Sequence, residues 1–522
     1  MSTNTTKAKK AHSKPATVDS ISLDQITETS EEQVKDTYIA ARKAFQRLQK
    51  VPLKNRLEDI ERLIDYVRDH KEEITDIICK ETRKSRTDAM VSEVMGVLDN
   101  FEWLIHNAPK ILKDKKVATP ITLMGKTSKI YQEALGTVLI IAPWNYPFHI
   151  GITSILSAYV AGNTVVFKPS EVTPMTGLME KIFSVAPMLE QSVFVTYGTG
   201  ITAQRLIDQR PAKIFFTGSA RTGKRILAQA AEKLIPVDIE LGGKDQAIVF
   251  DDVNLDRVVA GVIWGALTNA GQSCSSVERI YVQDNIYDEF VERITTEVNK
   301  LVLNSGDSGN ADIGGMTVDF QLDIARKHVE DAKAKGAKIL TGGEILHENE
   351  MFFMPTVLTN LDESMDVVNE ETFGPLLPIF KFSTEEEVVQ ISNDTSFGLS
   401  ASVWSKDLKR ADRVSRQLEC GAVSINNVML TEGNPNLPFG GCKESGFGRQ
   451  KGEEGLLGYS RSKSILVDKD SSIIEPNWYP YTQKKYNLFV DLINALFTRS
   501  PLKLLKLAVI GMKLESVAKK PR

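Results

Sequence analysis

The sequence predicts an α/β protein with parallel sheets and more than one domain, on three observations. Short β-branched or aromatic runs at 137–141, 164–167, 193–197, 213–216 and 247–250 alternate with helical stretches near 150–161, 174–187, 201–209 and 221–234. That rhythm is the one of βαβ units closing a parallel sheet. A second alternating stretch runs from 251 to about 437, with strand-like runs at 337–340, 356–358 and 377–382. Finally, 522 residues that are 42% hydrophobic and 25% charged suffice for two or three domains, each with a core.

In chain order, residues 1–20 are polar, with Lys7, Lys9, Lys10 and Lys14 among Ser, Thr and Ala. No apolar segment follows, so a disordered tail is expected and not a secretory signal. From Ser30 to about Pro109 apolar residues recur at helical spacing: Val34, Ala40, Ala44 and Leu48, then Leu57, Ile60, Leu63, Ile64 and Val67. These predict a helical layer. The period changes at 116–132, where 117–123 and 126–132 flank Met124-Gly125 as in a hairpin, and 459–467 reads as a companion strand.

A net charge of −4 gives no basic field for nucleic acid. The four cysteines (79, 274, 420 and 442) form no CxxC pair and the six histidines are scattered, so neither a metal site nor a disulfide framework is expected. Free thiols suit a reducing compartment, which points to the cytoplasm. Arg257, Glu278, Arg279 and the Lys-rich helix 322–335 read as solvated or salt-bridged faces.

In parallel sheets ligands bind at the carboxyl ends of the strands, and here those ends carry chemistry. Lys168 and Glu171 follow the run 164–167; a Lys there can hold a ribose or phosphate, and a Glu can accept from two ribose hydroxyls. Phe216-Thr-Gly-Ser-Ala-Arg-Thr-Gly-Lys224 follows the run 213–216, and Gly218 and Gly223 would let backbone approach a pyrophosphate at a helix N-terminus. This is neither a full GxGxxG nor a Walker loop.

The stretch Asn269-Ala-Gly-Gln-Ser-Cys274 reads as a turn carrying a nucleophilic thiol. A lone Cys is more often a small buried hydrophobe. Here, though, Gly271 lets the backbone turn, Gln272 and Ser273 are poor core formers, and 258–267 supplies a helix to hold the turn. Backbone N–H groups around such a thiol would suit a thiolate and a neighbouring oxyanion. Glu240 ends a short β-like run before Gly242-Gly243; between Ile239 and Leu241 its carboxylate would be partly desolvated and raised towards use as a general base. Surface strand ends are the commoner place for a lone Glu. Asn145 stands between Pro143 and Pro147, which fix the backbone, and is an oxyanion donor or a turn Asn.

Pro143-Trp-Asn-Tyr-Pro147, Lys168-Pro-Ser-Glu171, Phe216-Thr-Gly-Ser219, Glu240-Leu-Gly-Gly-Lys244, Gly271-Gln-Ser-Cys274, Glu371-Thr-Phe-Gly-Pro375 and Pro438-Phe-Gly-Gly441 occur in this order. Together they resemble the aldehyde dehydrogenase superfamily over roughly residues 30–468. The resemblance implies that family's fold: a Rossmann-like dinucleotide-binding domain (21–115 and 134–246), an α/β catalytic domain (247–440), and a β-arm (116–133 and 459–468) that crosses to a partner in a homo-oligomer. It implies NAD as cofactor, or NADP, held by Trp144, Lys168, Ser170, Glu171, Gly218, Ser219, Gly223, Leu241, Glu371 and Phe373. Glu371 would hold the nicotinamide ribose and Phe373 would pack by the ring. It implies oxidation of an aldehyde to the acid, with Cys274 as nucleophile, Glu240 as the base that hydrolyses the thioester, and Asn145 as oxyanion donor. Gln246 stands where Pro often follows Gly-Gly-Lys-x, and Cys442 follows Pro-Phe-Gly-Gly. A CoA-acylating enzyme would lack Glu240, and a thiol hydrolase would need a His beside Cys274. A catalytically silent structural paralogue should have lost Cys274, Glu240 or Asn145.

From Thr482 the chain is helical again. Tyr486, Phe489, Val490, Ile493, Leu496 and Phe497 fall on one side, with Lys484, Asn487, Asp491 and Asn494 on the other. Ser500-Pro501 reads as the start of another helix, in which Leu502, Leu504, Leu505, Leu507, Val509, Ile510 and Met512 are apolar and Lys503, Lys506 and Lys513 share a stripe. Residues 482–522 carry nine Lys or Arg against Asp491 and Glu515. No run reaches the roughly 18 apolar residues that a membrane span needs. Peripheral contact of 482–522 with an anionic bilayer is expected, the alternative being docking on the enzyme body or a partner. Fatty aldehyde dehydrogenases have a similar extension, so the expected substrate is an aliphatic aldehyde of medium to long chain. A semialdehyde or other small aldehyde is the alternative.

Overall fold

The computed structural model of the protein describes residues 27–304, 309–347, 351–469, 474–499 and 501–518. The tail expected at 1–20 and the Ser500 cap lie outside the described residues. The chain divides into two compact units, one of residues up to Lys113 with Gln132–Arg461, the other of Asp114–Tyr131 with Ser462–Arg522.

The first unit opens with the expected helical layer. Ser30 caps the helix Glu31–Leu48 in a reciprocal capping box with Gln33. Its buried stripe runs through Val34, Tyr38, Ala41, Ala44 and Leu48; Ala40, expected on the stripe, is exposed, because a 3.6-residue period puts Ala41 on the inner face. Five parallel strands follow, ordered in space Val237–Glu240, Lys213–Thr217, Thr137–Ile141, Thr164–Lys168 and Val193–Val195. A sixth, Gly446–Phe447, runs antiparallel beside Val237–Glu240 with Gly446 opposite Glu240. The strand order reverses between Thr137–Ile141 and Lys213–Thr217. This is the switch point at which doubly wound sheets open a crevice at their carboxyl ends.

A seven-stranded sheet holds, in order, Lys338–Thr341, Thr356–Thr359, Leu376–Phe382, Val277–Gln283, Asp245–Val249, Ser400–Trp404 and Ala422–Ile425. The run at 247–250, grouped above with the first alternating stretch, therefore belongs to this second sheet, paired between Val277–Gln283 and Ser400–Trp404. Its apolar alternation could not distinguish the two sheets, because a central parallel strand is buried on both faces in either. The helix Leu255–Leu267 buries Val258, Val259, Val262, Ile263 and Ala266 against this core and delivers the chain to Cys274.

The second unit carries most of a three-stranded sheet of Lys115–Val117, Lys126–Ala134 and Ser460–Asp468. The hairpin expected at 117–132 is present, but its first strand ends at Val117 and a 3-10 turn at Ile121–Leu123 leads into the second. Two helices, Gln483–Leu496 and Lys503–Ala518, form a hairpin closed by Leu488, Leu514 and Val517. Tyr486, Val490, Ile493 and Phe497, placed on the apolar side above, are exposed, as are Leu502, Leu504, Leu505 and Met512. Each helix thus has one apolar stripe between the pair and a second facing out. No helix among the described residues is long and apolar enough to cross a membrane.

Candidate active site

The turn at 269–274 is built by a run of left-handed backbone. Asn269, Ala270 and Gly271 have φ of 53°, 55° and 73°, a geometry that a non-glycine residue holds only when its surroundings enforce it. The enforcement is visible. Asp88 accepts from the Asn269 N–H and the Thr268 hydroxyl, both at 2.9 Å. The Gln272 side chain donates to the Asn269 carbonyl at 2.9 Å and accepts from the Thr317 N–H at 2.9 Å. Gly271 is required by contact: a Cβ there would lie 2.3 Å from the Gly374 carbonyl oxygen. Asp88 and Thr317 drew no attention in the sequence, since a local pattern does not report partners 180 and 45 residues away.

Two distant stretches meet this turn. The Asn145 side-chain amide donates to the Gln272 carbonyl at 3.1 Å, and Asn269 donates to the Asn145 carbonyl at 3.2 Å. Asn145 is held by the start of the helix Pro147–Val160, whose Phe148 and His149 N–H groups donate to Glu93 at 2.9 and 3.1 Å. Glu93 is itself in a buried ion pair with Lys84 at 2.5 Å. A carboxylate at the helix N-terminus satisfies donors that the helix leaves free. From the other side, a Cβ on Gly243 would stand 2.5 Å from the Cys274 carbonyl oxygen. That fit sets the segment after Glu240 directly against the thiol's backbone.

Glu240 is buried, and its Oε1 has no hydrogen-bond partner among the described residues. Burial pushes its carboxyl up to about 8, with Lys451 opposing and Glu432 adding to the shift. The expected partial desolvation is thus present and larger than flanking Ile239 and Leu241 alone imply. For Cys274 the environment is less favourable than the turn suggested. Burial pushes the thiol well above its usual range, and the carboxylates of Glu432, Glu240, Asp245 and Glu371 add to the shift. These surroundings favour the neutral thiol over the thiolate, and backbone N–H groups alone do not reverse that.

Glu371 docks on the same segment as Glu240. It accepts from the Gly243 N–H at 3.1 Å, and a Cβ on Gly242 would lie 2.0 Å from its carboxylate. Burial pushes it to about 8, and Glu278 adds to the shift. Glu278 and Arg279, expected on solvated or salt-bridged faces, are both buried, Glu278 in an ion pair with Lys244. Glu278 accepts from the Thr372 and Phe373 N–H groups, both at 2.8 Å, and from Lys244 at 2.6 Å. Arg279 donates to the Lys244 carbonyl at 2.8 Å and to Gln246 at 2.7 Å, so the Gln that stands where Pro is usual serves as its acceptor. A sequence pattern cannot separate a buried charge from a surface one when its partners are remote. The Phe373 ring meets Trp144 edge-on at 5.3 Å between centroids.

At the end of Thr164–Lys168, buried Lys168 donates to Glu171 at 2.8 Å and to the Pro169 carbonyl at 3.0 Å. Ser170 accepts from the Val172 N–H at 3.3 Å. At the end of Lys213–Thr217, Ser219 caps the helix Ala220–Ala231, and buried Thr217 Oγ1 has no partner among the described residues. The glycines here serve packing. A Cβ on Gly218 would meet the Phe216 ring at 2.5 Å, and one on Gly223 would meet Leu241 at 2.8 Å. They seat the helix on the sheet, and the first N–H groups of a helix have no partner within it. Helix donors, an unpartnered hydroxyl and a Lys–Glu pair, at strand ends on either side of Thr137–Ile141, fit a dinucleotide's phosphates and ribose. Cys442, the other departure, donates to the Gly398 and Glu419 carbonyls at 3.4 and 3.2 Å. Among the described residues no group of three or more His, Cys, Asp or Glu could hold a metal ion.

The two sheets and the crevice between strand ends define an α/β oxidoreductase of the aldehyde dehydrogenase fold. A solved betaine aldehyde dehydrogenase of Staphylococcus aureus in complex with NAD+ superposes with a TM-score of 0.81 at 31% identity, covering 87% of this chain and 90% of that one. The chain belongs to the aldehyde dehydrogenase family, whose description matches residues 3–465. It is 39% identical over 459 residues to a 4,4'-diapolycopene aldehyde oxidase of Methylomonas sp, covering 88% of this chain and 86% of that protein. It is 34% identical over 454 residues to a putative succinate-semialdehyde dehydrogenase [NADP(+)] 2 of Mycobacterium ulcerans, covering 86% and 87%. The protein is an NAD(P)-dependent aldehyde dehydrogenase and oxidises an aldehyde.

Proposed function

We propose that the enzyme converts an aliphatic aldehyde of medium to long chain to its carboxylic acid through covalent intermediates on Cys274. The observation that carries the site reading is the convergence of Asn145 and the Glu240–Gly243 segment on the 272–274 turn. Cys274 loses its proton to solvent and adds to the carbonyl carbon, forming a thiohemiacetal. The Asn145 amide and the Cys274 backbone N–H receive the oxyanion. A bound nicotinamide dinucleotide supplies the acceptor for the hydride, and a thioester on Cys274 remains. Glu240 takes a proton from water, whose oxygen attacks the thioester; the acid leaves and the thiolate is restored. Trp144, Lys168, Ser170, Glu171, Gly218, Ser219, Gly223, Leu241, Glu371 and Phe373 form the dinucleotide site, and the sheet with Lys115–Val117 is the arm of a homo-oligomer. Cys274→Ala should abolish oxidation while leaving NAD binding within about twofold. Turnover above trace in that variant would remove Cys274 from the chemistry.

The chain-length reading is supported by the tail. Exposed Tyr486, Ile493, Phe497, Leu504, Leu505 and Met512 accompany the Lys stripe of 503, 506 and 513. This combination suits an anionic lipid surface, where an apolar aldehyde partitions. The relative named for 4,4'-diapolycopene aldehyde points the same way, whereas the one named for succinate semialdehyde favours a small, charged substrate. A panel from acetaldehyde to hexadecanal with succinate semialdehyde decides. Highest kcat/KM on the semialdehyde would overturn the long-chain reading.

A further inference from the structure

A buried cation stands beside the thiol and is used by none of the steps above. Lys451 is 8% exposed, and its ammonium donates to the Glu432 carbonyl at 2.5 Å. The Glu432 carboxylate in turn accepts from Ser275, next to Cys274, at 2.5 Å. The backbone at Lys451 has φ 61° and ψ 174°, a region essentially reserved for glycine. Its neighbours enforce it. Gln450 exchanges backbone hydrogen bonds with Phe439 at 2.7 and 2.8 Å, and its side chain donates to Ser154 at 3.0 Å. A long, charged side chain is thus held in strained backbone, out of water, next to the reacting groups.

We propose that Lys451 is the positioning counter-charge of the Cys274–Glu240 pair, lowering the pH at which each gives up its proton. This rests on the reading of Cys274 as nucleophile and Glu240 as base. Burial pushes the Lys451 ammonium down, while Glu432, Glu240 and Cys274 pull it back up. Coupling between charges is mutual, so a protonated Lys451 favours the carboxylate and the thiolate by the same interaction. Among the charges acting on Glu240, Lys451 is the largest, ahead of Glu432 and Asp238. The thiol meets Glu432, Asp245 and Glu371 besides Glu240, all of which oppose its ionisation. His149, on the helix from Pro147, also faces Lys451. Burial holds this imidazole down at about 3 with Lys451 adding to the shift, so it is neutral and supplies no second cation.

The test compares Lys451→Gln, which keeps a donor for the Glu432 carbonyl without the charge, with Lys451→Met and Lys451→Arg. The first readout is the pH midpoint of iodoacetamide alkylation at Cys274, followed by peptide mass. The second is the acid limb of the kcat–pH profile. For Gln and Met we expect both midpoints to rise by about one unit, which is about tenfold slower alkylation below the midpoint; Arg should restore most of the shift. Unmoved midpoints in Gln and Met overturn the proposal. So does an Arg variant displaced as far as Gln, or failure of both neutral variants to fold, either of which makes Lys451 a structural residue. Alkylation reads the thiol whether or not it is the nucleophile, so an error in that assignment would appear separately, as turnover in Cys274→Ala.

Discussion

Replacing Glu240 by Gln removes a proton acceptor while keeping its shape. With its carboxyl raised to about 8 by burial, roughly a tenth of wild-type molecules carry the carboxylate at pH 7. If water attack on the thioester limits turnover, kcat should climb roughly tenfold between pH 7 and 9 and then level. The Gln variant should lose about 10²–10⁴-fold in steady turnover, the usual worth of a positioned base. It should still release about one equivalent of reduced nucleotide in a stopped-flow burst, because acylation does not need Glu240. Stability should move oppositely. An acid whose folded value is raised favours the folded state while protonated, so its contribution is present below the unfolded value of about 4.3. That contribution is lost as pH rises through about 8. The variant should therefore melt above wild type at pH 8.5, the gap closing towards pH 5. Unchanged turnover in the variant, or a flat kcat–pH profile with a full burst, would refute the base assignment.

Other outcomes follow from the same geometry. Glu278→Gln strands the buried Lys244 ammonium and weakens the anchor of Thr372 and Phe373, so we expect a loss of about 3–5 kcal/mol in denaturant unfolding and a raised KM for NAD; an unfolding change below about 1 kcal/mol would contradict it. Glu171 can bond a free ribose hydroxyl and repel a 2′-phosphate, which favours NAD, although Lys168 beside it can pair with that phosphate. Equal or better kcat/KM with NADP would refute the preference. Truncation after Pro480 should abolish binding to anionic vesicles, which in the full chain weakens with salt by about 1 kcal/mol per Lys or Arg lost to screening. It should also reduce long-chain more than short-chain turnover. A truncated enzyme that stays on vesicles, or loses acetaldehyde oxidation equally, would place the tail in the folded body.

Local chemistry in the chain was enough for much of this enzyme. The alternation of β-branched runs and helices marked both sheets, because strand and helix periods are properties of ten consecutive residues. Cys274, Glu240 and Asn145 stood out because each sits among glycines or prolines that restrict the backbone whatever the rest of the chain does. Assigning the strand Asp245–Val249 to its sheet was beyond local pattern, since its burial is the same in either. So was the burial of Glu278 and Arg279, whose hydrogen-bond partners lie about 30 to 110 residues away. Asp88, Thr317 and Lys451 carry no local signal at all. The first two act by holding the turn and the last by a charge that matters only once it is buried. The sign of the Cys274 shift, too, is a tertiary fact: burial raises it first, and four acidic side chains from three segments add to it, all of which exist only after the chain has closed around the thiol.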